Sequence, residues 1–353
     1  MNSVPGVCSL SRLGTTNAQV FGMDAEGRFD KSRLDLVYTA VKDRYLAVTQ
    51  GKTESDPLKV FVKQEPHKVE KLKDDRLRLI MSVSLVDALV DRILFMRLAN
   101  QVIKKHTLTN ILIGWSPLGG GYRLIDALFP GETISIDKKA WDWSVPYWLL
   151  EAVKGVIKRL AVDAPQWWHD AVDTRFSCLF GDPEFVFPDG TRGRQEQPGI
   201  MKSGCYLTIL INSIAQLVLH EMAKVSLGLG DEVEPVVVLG DDSLQRKFDR
   251  WQEYVDYITA LGFRCEVEHH SDEPEFAGFR YRDKFKPAYF QKHLFNLAHL
   301  TTDREVAQQT LQNYQLLYYF DEPMRRVITD MIRILNMPEA AADELRLRAL
   351  AMG

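Results

Sequence analysis

The chain has 353 residues, 46% of them hydrophobic and 26% charged, an ordinary globular composition long enough to bury a sizeable core in two or three subdomains. Its formal net charge of −4 excludes nonspecific nucleic-acid binding by the whole surface, although a channel can be basic inside an acidic shell. Four scattered cysteines, Cys8, Cys178, Cys205 and Cys265, lack CxxC spacing and disulfide density, which points to a reducing compartment and no structural zinc.

No charged-then-apolar leader pattern opens the sequence, and the most apolar stretch, Tyr206 to His220, is interrupted by Thr208, Asn212, Ser213 and Gln216. A transmembrane segment is not expected. Ser32 to Val48 has helical apolar spacing at Leu34, Val37, Val41 and Leu46. Lys59 to Arg78 carries seven Lys or Arg against four Asp or Glu and reads as a basic strand-loop-strand. Within it, alternation in Arg76-Leu77-Arg78-Leu79-Ile80 suggests a strand with both arginines on one side. Leu85 to Val102 follows as a helix capped by Ser84.

Gly119-Gly120-Gly121 marks a loop, after which Thr133-Ile134-Ser135-Ile136 reads as a strand delivering Asp137 at its end. Helices are expected from Val145 to Leu160 and from Pro165 to Phe180, then a hairpin around Phe187-Pro188-Asp189-Gly190. A polar loop, Thr191 to Gly199, precedes a long helix from Ser203 to about Val225. The apolar run Pro235 to Leu239 ends in Gly240-Asp241-Asp242, which reads as a buried strand and a tight turn. Trp251 to Leu261 is helical, Gly262 its C-cap, and Arg264 to Val267 a returning strand. Phe276 to Tyr281 and Phe285 to Phe290 suggest another hairpin, and Val306 to Tyr319, Met324 to Leu335 and Ala340 to Ala349 close the chain as helices.

Asp137 can end a strand while Asp142 falls about one helical turn on, so both can face one cleft. With Asp241 they are hard oxygen donors suited to Mg2+, which favours phosphoryl transfer over redox chemistry. The plainer alternative is a helix N-cap at Asp137 and a solvated first-turn residue at Asp142. Thr208 and Asn212, four apart, share a helix face with Ser203-Gly204 at its mouth, either a capped helix with a polar stripe or a surface that holds template and a ribose 2′-hydroxyl. Lys63, Lys68, Lys71, Arg76 and Arg78 could neutralise a triphosphate or an RNA backbone, or form only a solvated face. Trp143, Trp148, Trp167 and Trp168 read as packing residues.

In this order the elements resemble the viral RNA-dependent RNA polymerases of the sobemovirus, polerovirus and barnavirus group, from positive-strand RNA viruses. Phe61-Val62-Lys63-Gln64-Glu65-Pro66-His67-Lys68 with Arg76-Leu77-Arg78-Leu79-Ile80 and Ser82-Val83-Ser84-Leu85-Val86-Asp87 looks like that group's motif F. Asp137 with Asp142-Trp143-Ser144-Val145 matches motif A, Ser203-Gly204 with Thr208 and Asn212 matches motif B, and Gly240-Asp241-Asp242 matches motif C. The similarity runs from about Val60 to Phe290, and four motifs in order are far more specific than any one of them.

The resemblance implies an α/β (α+β) right hand of fingers, palm and thumb with an antiparallel palm sheet. Residues 1–130 would form the N-terminal region and fingers, 131–292 the palm with a fingers insertion near 155–200, and 293–353 a helical thumb. It implies two Mg2+ ions, with Mn2+ able to substitute, held by Asp137 and Asp241 with Asp242 beside them. Asp142, Ser203 and Asn212 would sense the ribose, with Gly204 and Thr208 in the same motif, and Lys63, Arg76 and Arg78 would meet the triphosphate or RNA. Phe276 to Tyr281 falls at the primer-grip position and is equally suited to plain core. Where motif D often supplies a lysine as general acid, the chain offers Arg264, His269 and His270.

Implied partners are an RNA template and product duplex, nucleoside triphosphates, a genome-linked protein primer and other viral replication proteins, with host cytoplasm at membrane-associated replication complexes as the location. A reverse transcriptase would share the palm and metals, but Asp142 with Asn212 favours ribose, and its turn usually carries another residue at the Gly240 position. A two-metal nuclease would use Asp137 and Asp241 without needing the Ser203 to Asn212 helix. A non-catalytic RNA-binding protein is the third alternative.

Overall fold

A computed structural model describes residues 3–66 and 69–353, so Lys68 lies outside the described residues. The fold is mixed α/β with antiparallel sheets, and it divides into two compact units. The first comprises residues up to Lys104 together with Lys139–Glu221, the second Lys105–Lys138 together with Met222–Gly353.

In the first unit, helices Lys31–Thr49, Leu85–Lys104 and Gln166–Phe180 pack against one another, with Tyr147–Leu160 against the last. The Tyr147–Leu160 helix buries Leu149, Leu150, Val153 and Ile157, a single apolar stripe at helical spacing. A four-stranded sheet runs in the order Leu79–Ser82, Leu58–Val62, Glu184–Val186, Arg192–Arg194. Its second and third strands are parallel, Leu58 against Phe185, and the last two form the hairpin expected at Phe187 to Gly190. Gly190 takes φ 85 there, a conformation glycine adopts without steric cost.

Buried charges tie these helices together. Arg175 donates to Asp91 through Nε at 2.5 Å and Nη2 at 3.1 Å, and both side chains are buried. Arg44 bonds Asp87, and its Nη2 reaches Asp56 at 3.2 Å. Ser84 caps its helix as expected, accepting from Asp87 N at 3.1 Å while donating to Asp56 at 2.7 Å. Burial pushes the Asp91 carboxyl up against the pull of Arg175, so the pair is held by geometry rather than by solvation.

The second unit holds a four-stranded antiparallel sheet in the order Val236–Leu239, Asp242–Arg246, Thr133–Lys138, Cys265–His270. Strand alternation buries Ile134 and Ile136 on one face and turns Ser135 and Asp137 to the other. A smaller sheet, Glu275–Phe276, Phe279–Tyr281 and Phe285–Pro287, packs its aromatic residues with Leu112, Tyr122 and Phe129. Phe276 and Tyr281 are therefore core. Helices Phe290–Ala298, Arg304–Leu317 and Glu322–Ile334 bury Leu297, Leu311, Tyr318 and Ile328 in a separate cluster, and Glu344–Met352 ends the chain.

Several sequence expectations are corrected. Arg76 and Arg78 precede the strand, which starts at Leu79, because the chain first forms a short helix at Val69–Lys73 and a turn at Asp74–Asp75. The long helix begins at Thr208, leaving Ser203 to Leu207 in a loop. Phe290 opens a helix instead of ending a strand. Of the four tryptophans read as packing residues, Trp168 is core, donating to Leu94 O at 2.8 Å, and Trp167 meets the Tyr45 ring edge-on at 6.3 Å, whereas Trp143 and Trp148 are 52% and 40% exposed. Among the described residues no helix is long and apolar enough to cross a membrane.

Candidate active site

Of the acidic candidates, Asp137, Asp241 and Asp242 lie in the second unit and Asp142 in the first, and the sheet register explains how the three in the second unit come together. Val236 to Leu239 pairs with the following strand so that Leu239 faces Asp242, leaving Gly240-Asp241 as a two-residue turn with Gly240 at φ 67. The Thr133–Lys138 strand pairs Thr133 with Arg246, Ile134 with Gln245 and Ser135 with Leu244. Two further residues along that register, Asp137 comes beside Asp242. On its other side Asp137 pairs with Glu266, an acidic neighbour the sequence pattern did not disclose. Its signal was the alternation Cys265-Glu266-Val267-Glu268, but only the register shows which strand it joins.

The electrostatics are those of crowded like charges. Asp137, Asp241 and Asp242 remain exposed to solvent, yet enough protein surrounds Asp137 and Asp242 to disfavour their charged forms. Asp242 is pushed up to about 6 by that burial and by Asp241, Asp137 and Glu275. Asp137 is raised by burial, Asp241 and Glu266, with Lys138 opposing. Lys138 points to the buried face, where desolvation lowers it to about 8. Carboxylates that repel one another on adjacent strands are a donor set that a divalent cation would satisfy, through hard oxygens supplemented by water and phosphate. Asp137, Asp241 and Asp242 are thus donors of the chemical type a divalent metal takes, and the helix-cap alternative for Asp137 fails because it lies within a strand.

The histidines considered as general acids lie on the Cys265–His270 strand. His270 Nε2 is 3.2 Å from Ser135 Oγ, and the His269 ring packs edge-on against Trp251 at 4.6 Å.

The sugar-reading candidates lie in the first unit. Asp142 sits in the short Trp141–Ser144 helix, entered through Ala140 at φ 53. Its carbonyl accepts from Met201 N at 2.7 Å, so the Asp142 turn and the loop before Ser203 are joined by backbone. Ser203 Oγ accepts from Met81 N at 3.3 Å. Gly204 bridges Ser82 in parallel, and a Cβ there would lie 2.5 Å from Met81 O, so this contact requires glycine. Thr208 Oγ1 is 2.8 Å from both Lys202 O and Cys205 O, which makes it the fastening of the loop to the helix. Asn212, one turn on, is 4% exposed, and its Oδ1 has no hydrogen-bond partner among the described residues. An acceptor buried without a partner is costly unless a ligand supplies the donor.

The basic candidates are also in the first unit. Lys63 Nζ is 3.2 Å and Arg78 Nη1 3.4 Å from Glu65, while Arg76 pairs with Asp74 at 2.7 Å. These partners are substantially exposed on the basic side, so the pairs are weak and a phosphate could replace the carboxylates at little cost.

Residues 26–273 match the family described as viral RNA-dependent RNA polymerase. The chain is 31% identical over 278 residues to Protein P1-P2 of Potato leafroll virus (strain Potato/Netherlands/Wageningen/1989), covering 73% of this chain and 25% of that protein. It is 33% identical over 283 residues to Replicase polyprotein P2AB of Southern bean mosaic virus, covering 74% and 27%. It is 28% identical over 305 residues to the RNA-directed RNA polymerase of Mushroom bacilliform virus, covering 82% and 71%. The chain thus spans about a quarter of the length of the Potato leafroll virus and Southern bean mosaic virus relatives.

Proposed function

We propose, since this chain belongs to the viral RNA-dependent RNA polymerase family, that it joins ribonucleoside triphosphates on an RNA template to replicate and transcribe a positive-strand viral genome. The observation that carries the reading is the hairpin that sets Asp241 and Asp242 beside Asp137 on adjacent antiparallel strands. Divalent metal suits this family and this donor set; the finer proposal is two Mg2+ ions, with Mn2+ able to substitute, held by Asp137 and Asp241 with Asp242 in support. Bound there, the ions would activate the attacking 3′-hydroxyl and stabilise the departing pyrophosphate.

The chain's own residues supply selection and charge. Asp142, Ser203 and Asn212 read the ribose, Gly204 and Thr208 shape the loop that carries Ser203, and Lys63, Arg76 and Arg78 take triphosphate or RNA phosphates. The right-hand division is likewise our reading: residues 1–130 as N-terminal region and fingers, 131–292 as palm with a fingers insertion near 155–200, and 293–353 as thumb. An RNA template and duplex, nucleoside triphosphates, a genome-linked protein primer and other viral replication proteins are the proposed partners, at cytoplasmic membrane-associated complexes.

Labelled UTP supplied with a poly(A) template separates polymerase from nuclease: incorporation supports the first, release of nucleotides from labelled RNA the second. The orphaned Asn212 carbonyl gives a sharper expectation. Asn212→Ala should lower the ratio of UMP to dUMP incorporation by about one to two orders of magnitude, because a site built to bond a hydroxyl rejects the analogue lacking it. An unchanged ratio, measured as kcat/KM for the two nucleotides, would remove Asn212 from sugar selection.

A further inference from the structure

The loop that leads into Ser203 is fastened by one buried lysine. Lys202 is 0% exposed, and its Nζ lies 2.8 Å from Gln195 Oε1, 3.0 Å from Gly199 O and 2.7 Å from Ile200 O. The ammonium also faces the rings of Phe180 and Phe185, with centroids at 5.5 and 5.9 Å. Gln195, itself buried, turns its amide to the carbonyls of Phe180, Gly181, Gln197 and Gly199, at 2.8 to 3.3 Å. The hydrogen-bond partners of Lys202 are thus neutral oxygens. Burial pushes its pKa down to about 7, a cost that an apolar side chain at this position would not carry.

The segment so held is strained. Ile200 takes φ 58, a left-handed conformation that a β-branched residue strongly resists, and Gly199 takes φ 126. Ile200 N donates to Val145 O at 2.9 Å and Met201 N to Asp142 O at 2.7 Å, while Gly199 forms an antiparallel bridge with Pro146. A Cβ on Gly199 would lie 3.0 Å from Val145 O. Backbone contacts therefore run from the Asp142 turn through Gly199 to Met201, the segment pinned by Lys202, and directly into Ser203.

We propose that Lys202 and Gln195 are positioning residues for sugar selection, holding the strained Gly199 to Met201 segment so that Asp142 and Ser203 keep the spacing that reads a ribose 2′-hydroxyl. The inference rests on the polymerase reading for its substrate and on the geometry alone for the pin. Lys202 touches no nucleotide in this scheme. Its loss acts through the loop.

Two measurements on the full chain test it. In Lys202→Met, hydrogen exchange at the amides of Ile200 and Met201 should accelerate by about tenfold or more, while the Tyr147–Leu160 helix keeps its protection. The ratio of kcat/KM for UMP over dUMP incorporation should fall by about tenfold. A variant that merely folds less well loses both rates equally and keeps the ratio. Gln195→Met leaves Lys202 its two carbonyl partners and should give a smaller change in the same direction, which decides the matter if Lys202→Met fails to fold. Unchanged exchange at Ile200 and Met201 would overturn the pin, and faster exchange with an unchanged ratio would overturn its role in selection. A parent chain that incorporates no UMP under any condition would instead contradict the polymerase reading, with the exchange result still deciding the pin.

Discussion

Asp241→Ala should abolish Mg2+-dependent synthesis, lowering UMP incorporation by about a thousandfold or more, while RNA affinity stays within about twofold of the parent. The asymmetry follows from what the residue can do. Asp241 stands in a two-residue turn, contributes negative charge that raises Asp137 and Asp242, and is exposed, so its removal vacates no core. RNA affinity depends on cations that neutralise phosphates, and removing one carboxylate takes none away. Filter binding and incorporation assays on one preparation separate the two effects. Unchanged synthesis would remove Asp241 from the metal site, and equal loss of binding and synthesis would point to a folding defect.

Arg175→Ala should be the most damaging change away from the carboxylates, costing about 3 to 5 kcal/mol of stability, because it leaves Asp91 buried without its cation and takes a second positive charge from near Asp87. The two acidic groups are one turn apart on the Leu85–Lys104 helix, so their repulsion would be offset only by Arg44, which bonds Asp87 and not Asp91. Lys158→Ala is the matched control. Its ion pair with Asp173, at 2.6 Å, is partly exposed and should contribute less than about 1 kcal/mol. Urea midpoints for the two variants test the contrast; similar midpoints would mean that the buried network contributes no more than a surface pair.

Much of the second unit's chemistry was legible in the sequence because strands and turns write themselves locally. The apolar run before Gly240 and the alternation around Ile134 and Ile136 state which face is buried, and a glycine before two aspartates states where the chain reverses. Glu266 was hidden because its place beside Asp137 depends on a register between strands far apart in sequence. Gln195 and Lys202 were hidden for a related reason. Their meeting is made by loop backbone without periodicity, and a lysine in sequence reads as a surface residue until its three hydrogen-bond partners are seen.

Misread positions have equally local causes. Alternation in Arg76 to Ile80 imitates a strand, yet Asp74 and Asp75 hold the chain in a turn and the ladder starts only at Leu79. The helix predicted from Ser203 gives up its first turn because Gly204 must approach Met81 closely and Thr208 bonds backward to the loop. Tryptophan is large and apolar, which favours burial, but Trp143 and Trp148 are exposed on their helices.

The most direct measurement is extension of a short RNA primer on an RNA template of defined sequence, with Mg2+ and one ribonucleoside triphosphate at a time. A polymerase adds the nucleotide complementary to the template, releases pyrophosphate and stops at the next position. Shortening of the primer, or addition that ignores the template base, would contradict RNA-directed synthesis by this chain.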